Sequence, residues 1–224
     1  MIAKGTGSQV SRLSLMVIDP SITYPEVESY NKIVEQCPYP CTYHLPVMSD
    51  MDSILRSLSR SCGIIILGSA ASVHDQSDWQ LILSNMLFKA IANDIPILGI
   101  CFGHQFLAHN LGGRVDYLWN KEKKKGIREI CVTNSSLIDS NETFNLIYSH
   151  QEGVVECPDN FFVSASSELV EIEAINHSSK AIWGFQTHIE ASFSFAQRHG
   201  ISSDEYQTTD KDGTTLMKSF FDKI

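Results

Sequence analysis

"ILGICFGHQF", residues 97–106, sets a cysteine between two glycines at the end of an apolar run. A cysteine buried within a strand needs no such punctuation. The residues before it read as a strand and those after it as a helix, so Cys101 falls on the turn between them. At such an elbow the side chain is pushed out of the sheet, and flanking glycines admit the tight backbone. The free N–H groups of the new helix and the positive end of its dipole favour thiolate over thiol. The same N–H groups can receive a developing oxyanion.

Outward from the elbow, the pattern alternates. "CGIIILGS" (62–69) is β-branched and aliphatic, which predicts a strand covered on both faces. Residues 77–93 predict a helix capped by Ser77, with Trp79, Ile82, Leu83, Met86, Leu87, Ala90 and Ile91 along a core-facing stripe. "LSLMVID" (13–19) and "CTYHLPV" (41–47) predict two further strands. Helices are predicted over 24–36, with Pro25 in the first turn, and over 49–60, capped by Ser49 or Asp50. Gly112 and Gly113 close the helix that follows Cys101. Strand and helix in alternation predict a doubly wound, mostly parallel α/β sheet in one domain spanning 1–224. After residue 114 the runs are short and alternating ("IREICVTN", "FNLIYSH", "FFVSASS", "VEIEAIN", "AIWGFQTH"), which predicts extra antiparallel strands. A last helix is predicted over 213–224, with Leu216, Met217, Phe220 and Phe221 inward.

The bulk properties narrow the class. The chain has 224 residues, 43% of them hydrophobic, and a formal charge of -9. That charge argues against a nucleic-acid binder. No apolar run approaches the about 20 residues of a membrane span. Six cysteines without a regular framework, and no convincing signal peptide, predict a cytoplasmic protein. "CPYPC" (37–41) lacks a matching second ligand pair, so no metal is expected, and no cofactor motif is present. The basic block "NKEKKKGIR" (120–128) reads as a solvated loop.

A thiol nucleophile needs a base and a group to orient it. "WGFQTHIEAS" supplies both, as His188 and Glu190. On an extended segment i and i+2 face one side, so Glu190 can fix the tautomer of His188. His104 is close to Cys101 but lies inside the next helix, where packing or hydrogen bonding is the expected role. Asp19 is expected as a turn residue before Pro20. His74, His109, His177 and His199 carry no partner pattern and are expected at the surface or in the core.

"GICFGHQ" followed by "GFQTHIE" resembles the class I glutamine amidotransferases, with their Cys-His-Glu triad and flavodoxin-like fold. The flavour is closest to the glutaminase part of GMP synthase and its stand-alone relatives. The resemblance covers nearly the whole chain and implies roles for particular residues. Cys101 would attack the side-chain amide of L-glutamine, with His188 as base and Glu190 holding it. Phe102 would give one oxyanion N–H; Gly68 and Ser69, in "LGSAASVHD", match the loop that gives the other. Gln105, Ser149 and His150 match positions lining the substrate pocket. The resemblance also implies a synthetase partner that accepts ammonia, since no phosphate-binding loop is present in this chain.

Three departures stand out. Gly-Ser-Ala-Ala-Ser replaces a loop richer in glycine, so the oxyanion hole is expected to be unformed at rest. Ile189 stands where proline is usual, and Thr187 where an aromatic residue is frequent. The altered loop and Thr187 keep a γ-glutamyl peptide or conjugate hydrolase open as an alternative. A non-catalytic regulatory role on this fold is the third reading, disfavoured by the intact triad.

Overall fold

The computed structural model describes residues 13–48, 52–138 and 141–224. The expected caps Ser49 and Asp50 lie outside them. The first half follows the predicted alternation: β1 (Ser14–Ile18), α1 (Val27–Gln36), β2 (Cys41–His44), α2 (Asp52–Leu58), β3 (Ser61–Ile66), α3 (Asp78–Ala92), β4 (Ile97–Ile100) and α4 (Phe102–Asn110). The second half adds β5 (Arg114–Tyr117), a short 3-10 turn, β6 (Lys124–Val132), β7 (Glu142–His150), β8 (Glu152–Glu156), β9 (Phe161–Ser166), β10 (Ala174–His177), β11 (Ile182–Phe185), α5 (Phe193–Arg198) and α6 (Ser203–Phe221).

Nine strands form one sheet in the order β2-β1-β3-β4-β11-β10-β9-β6-β7. The first five are parallel neighbours, and the pairings from β11–β10 onward are antiparallel. Strands β5 and β8 pair separately as a small antiparallel ribbon. This is a doubly wound α/β fold extended by an antiparallel wing.

Period-2 geometry explains why the parallel strands are apolar throughout. Met16, Ile18, Ile64 and Ile66 face α2, α3 and α4, while Leu15, Val17, Ile65, Leu98 and Ile100 face α1 and α6. Helix α3 starts where predicted, with the Gln80 side chain accepting the Ser77 N–H at 2.9 Å in a capping box. Its buried stripe is narrower than predicted: Leu83, Met86, Leu87 and Ala90 are buried, but Ile82 is exposed. Helix α6 begins ten residues before its predicted start. Ser202 and Glu205 form a capping box there, and the predicted apolar residues are buried as expected. Gly213 lies inside this helix because a Cβ there would come 2.4 Å from the Ile189 carbonyl oxygen. The helix therefore rests directly on the backbone between His188 and Glu190.

The basic block is not simply a solvated loop. Lys124 and Lys125 belong to β6, and Lys124 and Lys121 lie over the rings of Trp119 and Tyr117. Among the described residues no helix is long and apolar enough to cross a membrane.

Candidate active site

Cys101 is the residue between β4 and α4, and its backbone bears the strain of the turn. Its φ is +52° and ψ is -101°, a conformation that costs a non-glycine residue about 1–3 kcal/mol. The flanking glycines have a different task from the one predicted. Neither has a positive φ; they permit close approach instead. A Cβ on Gly103 would lie 2.1 Å from the Ile66 carbonyl oxygen, and one on Gly99 2.5 Å from the Gly103 carbonyl. Helix α4 thus lies against β3 and β4, and the Cys101 N–H is tied to the Phe185 carbonyl at 2.8 Å. At the first turn, the Phe102 N–H has no i−4 partner and is free for a ligand. The Phe102 ring is buried against Phe106 and Trp79, so only its backbone is available.

His188 and Glu190 come from the turn after β11. His188 Nδ1 lies 2.9 Å from Glu190 Oε1, with both side chains buried. The segment is a turn rather than the extended strand predicted, yet the two side chains still meet. Its position is set by the His188 N–H bonding the Ile147 carbonyl of β7 at 2.8 Å, and by the Phe195 ring, tilted 40° against the imidazole with centroids 4.4 Å apart. Burial works against the charged imidazole, but the Glu190 carboxylate and the Cys101 sulfur outweigh it and raise its pKa to about 10.

Gly68 occupies the space between His188 and Cys101: a Cβ there would lie 2.8 Å from His188 Cε1 and 3.5 Å from Cys101 Cβ. Ser69 anchors this loop, donating its hydroxyl to the Pro20 carbonyl at 2.7 Å and accepting the Ala71 N–H. Two lobes of a cleft meet at Cys101, Ser69, Ala70, Lys123 and Ser149. One, about 510 Å³, is lined further by Gln105, His150, Gln151, Glu152 and Ser72. The other, about 620 Å³, continues past His188 and Glu190 to Thr23, Tyr24, Glu26, Phe195 and His199.

The candidates are therefore gathered in one cleft. Ser149 lines both lobes, with its hydroxyl buried and unpartnered. His150 lines one, but both its nitrogens are engaged, Nδ1 with the Glu152 carbonyl at 2.8 Å and Nε2 with Arg128 Nη1 at 3.3 Å. Burial and the Arg128 charge push its pKa down to about 3. His104 is fully buried against Gly184, a packing role, and burial pushes its pKa down to about 3. Asp19 is a turn organiser: its carboxylate accepts the N–H groups of Ser21 and Glu26 and the hydroxyl of Tyr43. His199, expected to be uninvolved, lines the second lobe and stacks on Phe195 at 4.2 Å. Sequence reasoning missed Glu152, Lys123 and Gln186 as site residues. Lys123 was hidden in the basic block. It reaches the cleft because Trp119, Asn120 and Lys121 all turn through positive φ just before it.

A strained cysteine elbow at the tip of a parallel strand, facing a buried His–Glu pair from the turn after a later strand, is the arrangement of a cysteine-nucleophile triad. The family model for glutamine amidotransferase class-I matches residues 27–206, and the chain belongs to that family. It is 29% identical over 215 residues to the GMP synthase [glutamine-hydrolyzing] of Phocaeicola vulgatus, covering 96% of this chain and 34% of that protein. The chain thus spans about a third of that relative's length. It is 30% identical over 141 residues to a GMP synthase [glutamine-hydrolyzing] subunit of Methanopyrus kandleri, covering 60% of this chain and 69% of that one. The solved structure of a glutamine amidotransferase from Thermotoga maritima superposes with a TM-score of 0.74 at 17% identity, covering 95% and 97% of the two chains.

Proposed function

We propose that this chain hydrolyses the side-chain amide of L-glutamine and passes the ammonia to a synthetase partner. The observation that carries this reading is the convergence of strained Cys101 and the buried His188–Glu190 pair on one cleft. The Cys101 sulfur attacks the amide carbon as the thiolate, with its proton already held by His188. The C–N bond of the tetrahedral intermediate breaks as His188 protonates the departing ammonia, leaving a γ-glutamyl thioester. Water, deprotonated by His188, then attacks the thioester and releases glutamate and the free thiol. Glu190 keeps the imidazole in the required tautomer and stabilises its charge. The Phe102 N–H and a backbone N–H from Gly68 or Ser69 receive the oxyanion. That hole is unformed at rest, because only one glycine remains in the loop; a structure of the glutamine-free protein with the Ser69 N–H aimed at the cleft would refute this. Gln105, Ser149 and His150 wall the lobe that takes the glutamyl group.

The Methanopyrus kandleri relative is named as one subunit of a GMP synthase, which supports a partner on a separate chain. A second reading, hydrolysis of γ-glutamyl conjugates, is favoured by the lobe beyond Cys101, which is larger than ammonia needs. Incubation of the purified protein with glutamine, and separately with a γ-glutamyl dipeptide, distinguishes the two when glutamate release is followed beside Cys101→Ala. Cys101-dependent release from glutamine is expected. Release from the dipeptide alone overturns the first reading in favour of the second.

A further inference from the structure

The side chain of Gln186 lies in the same buried layer as Cys101 and is fully buried itself, yet none of the chemistry above uses it. Its Nε2 is 3.7 Å from Cys101 Sγ, and its Oε1 is 3.0 Å from Gln105 Nε2. Amide oxygen and nitrogen are told apart by their partners, and here a chain of partners fixes every orientation. It starts at Arg128, which can only donate, so the His150 nitrogen facing it must accept. The other His150 nitrogen then carries the proton and donates to the Glu152 carbonyl. That carbonyl also accepts Gln105 Nε2 at 2.7 Å. With its nitrogen turned to the carbonyl, Gln105 offers its second N–H to Gln186, which must present its oxygen. Gln186 is left with one direction for its own N–H groups, toward the sulfur.

We infer that Gln186 is a catalytic residue whose amide N–H, locked in place by Gln105 and the Glu152 carbonyl, stabilises the anionic sulfur of Cys101. This rests on the reading of Cys101 as the nucleophile. A hydrogen bond given to an anion is stronger than one given to a neutral group, so the donor favours the thiolate over the thiol. The sulfur also lies where the helix N-terminus points, and the two effects act on the same charge. Gln105 becomes a positioning residue with respect to the sulfur: its two N–H bonds are committed inward, which leaves its oxygen to a ligand.

The test labels Cys101 in the full chain with a γ-glutamyl chloroketone and, separately, with iodoacetamide, which does not need the glutamyl lobe. Thiolate ultraviolet absorbance is read against Cys101→Ser. In Gln186→Met, both reagents are expected to label roughly tenfold more slowly, with less thiolate absorbance at neutral pH. Turnover is expected to fall through kcat, with KM held within about twofold. Gln105→Met frees the Gln186 amide to rotate and is expected to slow iodoacetamide labelling by a smaller factor, which serves if Gln186→Met does not fold. Wild-type labelling rates and wild-type thiolate absorbance in these variants, while the wild type itself is labelled at Cys101, would overturn the role of Gln186 alone. A wild-type chain that neither reagent labels at Cys101 overturns the nucleophile, and this inference with it.

Discussion

The parallel half of the sheet and its antiparallel wing contribute to the cleft in different ways. The parallel half holds Cys101 by packing: apolar strands covered on both faces, and glycines that let α4 touch β3 and β4. The wing holds its side of the cleft by polar bonds. Arg128 and Glu173 form a buried pair at 2.6 Å, Arg128 lies over Tyr148 at 3.8 Å and bonds His150, and through the Glu152 carbonyl the wing holds Gln105 of α4. A packed element tolerates one conformation because its neighbours leave no room. A polar chain does so because each donor has one acceptor, and it fails as a unit.

The largest effect is expected where the two halves meet. Glu190→Gln keeps the size of the side chain but cannot hold the imidazolium, and kcat for glutamine should fall by roughly 10³–10⁴ with the fold retained. A fall of less than about tenfold would show that the turn after β11 positions His188 without its carboxylate. Next, Arg128→Met strands the Glu173 carboxylate in the wing. The expected loss is about 3–5 kcal/mol of unfolding free energy in urea titration, and adding Glu173→Met should restore most of it. An equal loss in the double variant would mean that the wing is held by packing after all.

A pair of glycines sharpens the contrast further. Gly103→Ala drives a Cβ into the Ile66 backbone and should cost about 3 kcal/mol. Gly126→Ala, in the wing, has a φ of +149° but meets only the Tyr148 ring at 3.6 Å, and about 1 kcal/mol of backbone strain is expected. Thermal melts of the two variants rank them; a reversed order would move the rigid part of the site into the wing.

The same division explains what could be read from sequence. Strands β1 to β4 and helices α1, α3 and α4 follow from apolar periodicity, because burial on both faces writes itself into every residue. That Cys101, His188 and Glu190 belong together was legible because their punctuation is specific, and all three line one cleft. Strands β5 and β8 were not: with "RVDY" and "EGVVE" they pair only with each other and carry no long apolar run. Helix α6 hid its first half behind "YQTTDKDG", whose Gly213 reads as the start of the helix until the Ile189 backbone is seen beneath it. Gln186 sat in plain view within "GFQTH", but its donor direction depends on partners at 105 and 152, and no local pattern encodes a relay between distant segments.

A final effect, spread over several pH units, concerns His188, and its sign follows from the imidazole. The pKa of His188 rises from its ordinary value near 6.5 to about 10 in the folded chain, chiefly because the Glu190 and Cys101 charges outweigh burial. In Cys101→Ser, where no thiolate offsets it, the folded state therefore holds a proton on His188 that the unfolded chain releases above pH 6.5. The stability this gives is complete below that pH and is lost as the pH climbs toward 10, by at most about 1.4 kcal/mol per pH unit. Between pH 7 and 9 the melting temperature should thus fall by a few degrees per unit, roughly 2–4 °C for each kcal/mol in a chain of this size. Adding Glu190→Gln to Cys101→Ser removes the strongest source of the shift, so the melting temperature should vary less over the same interval. Identical slopes for Cys101→Ser with and without Glu190→Gln would mean that the carboxylate from the turn does not hold the proton on His188, and that this side of the cleft is set by packing alone.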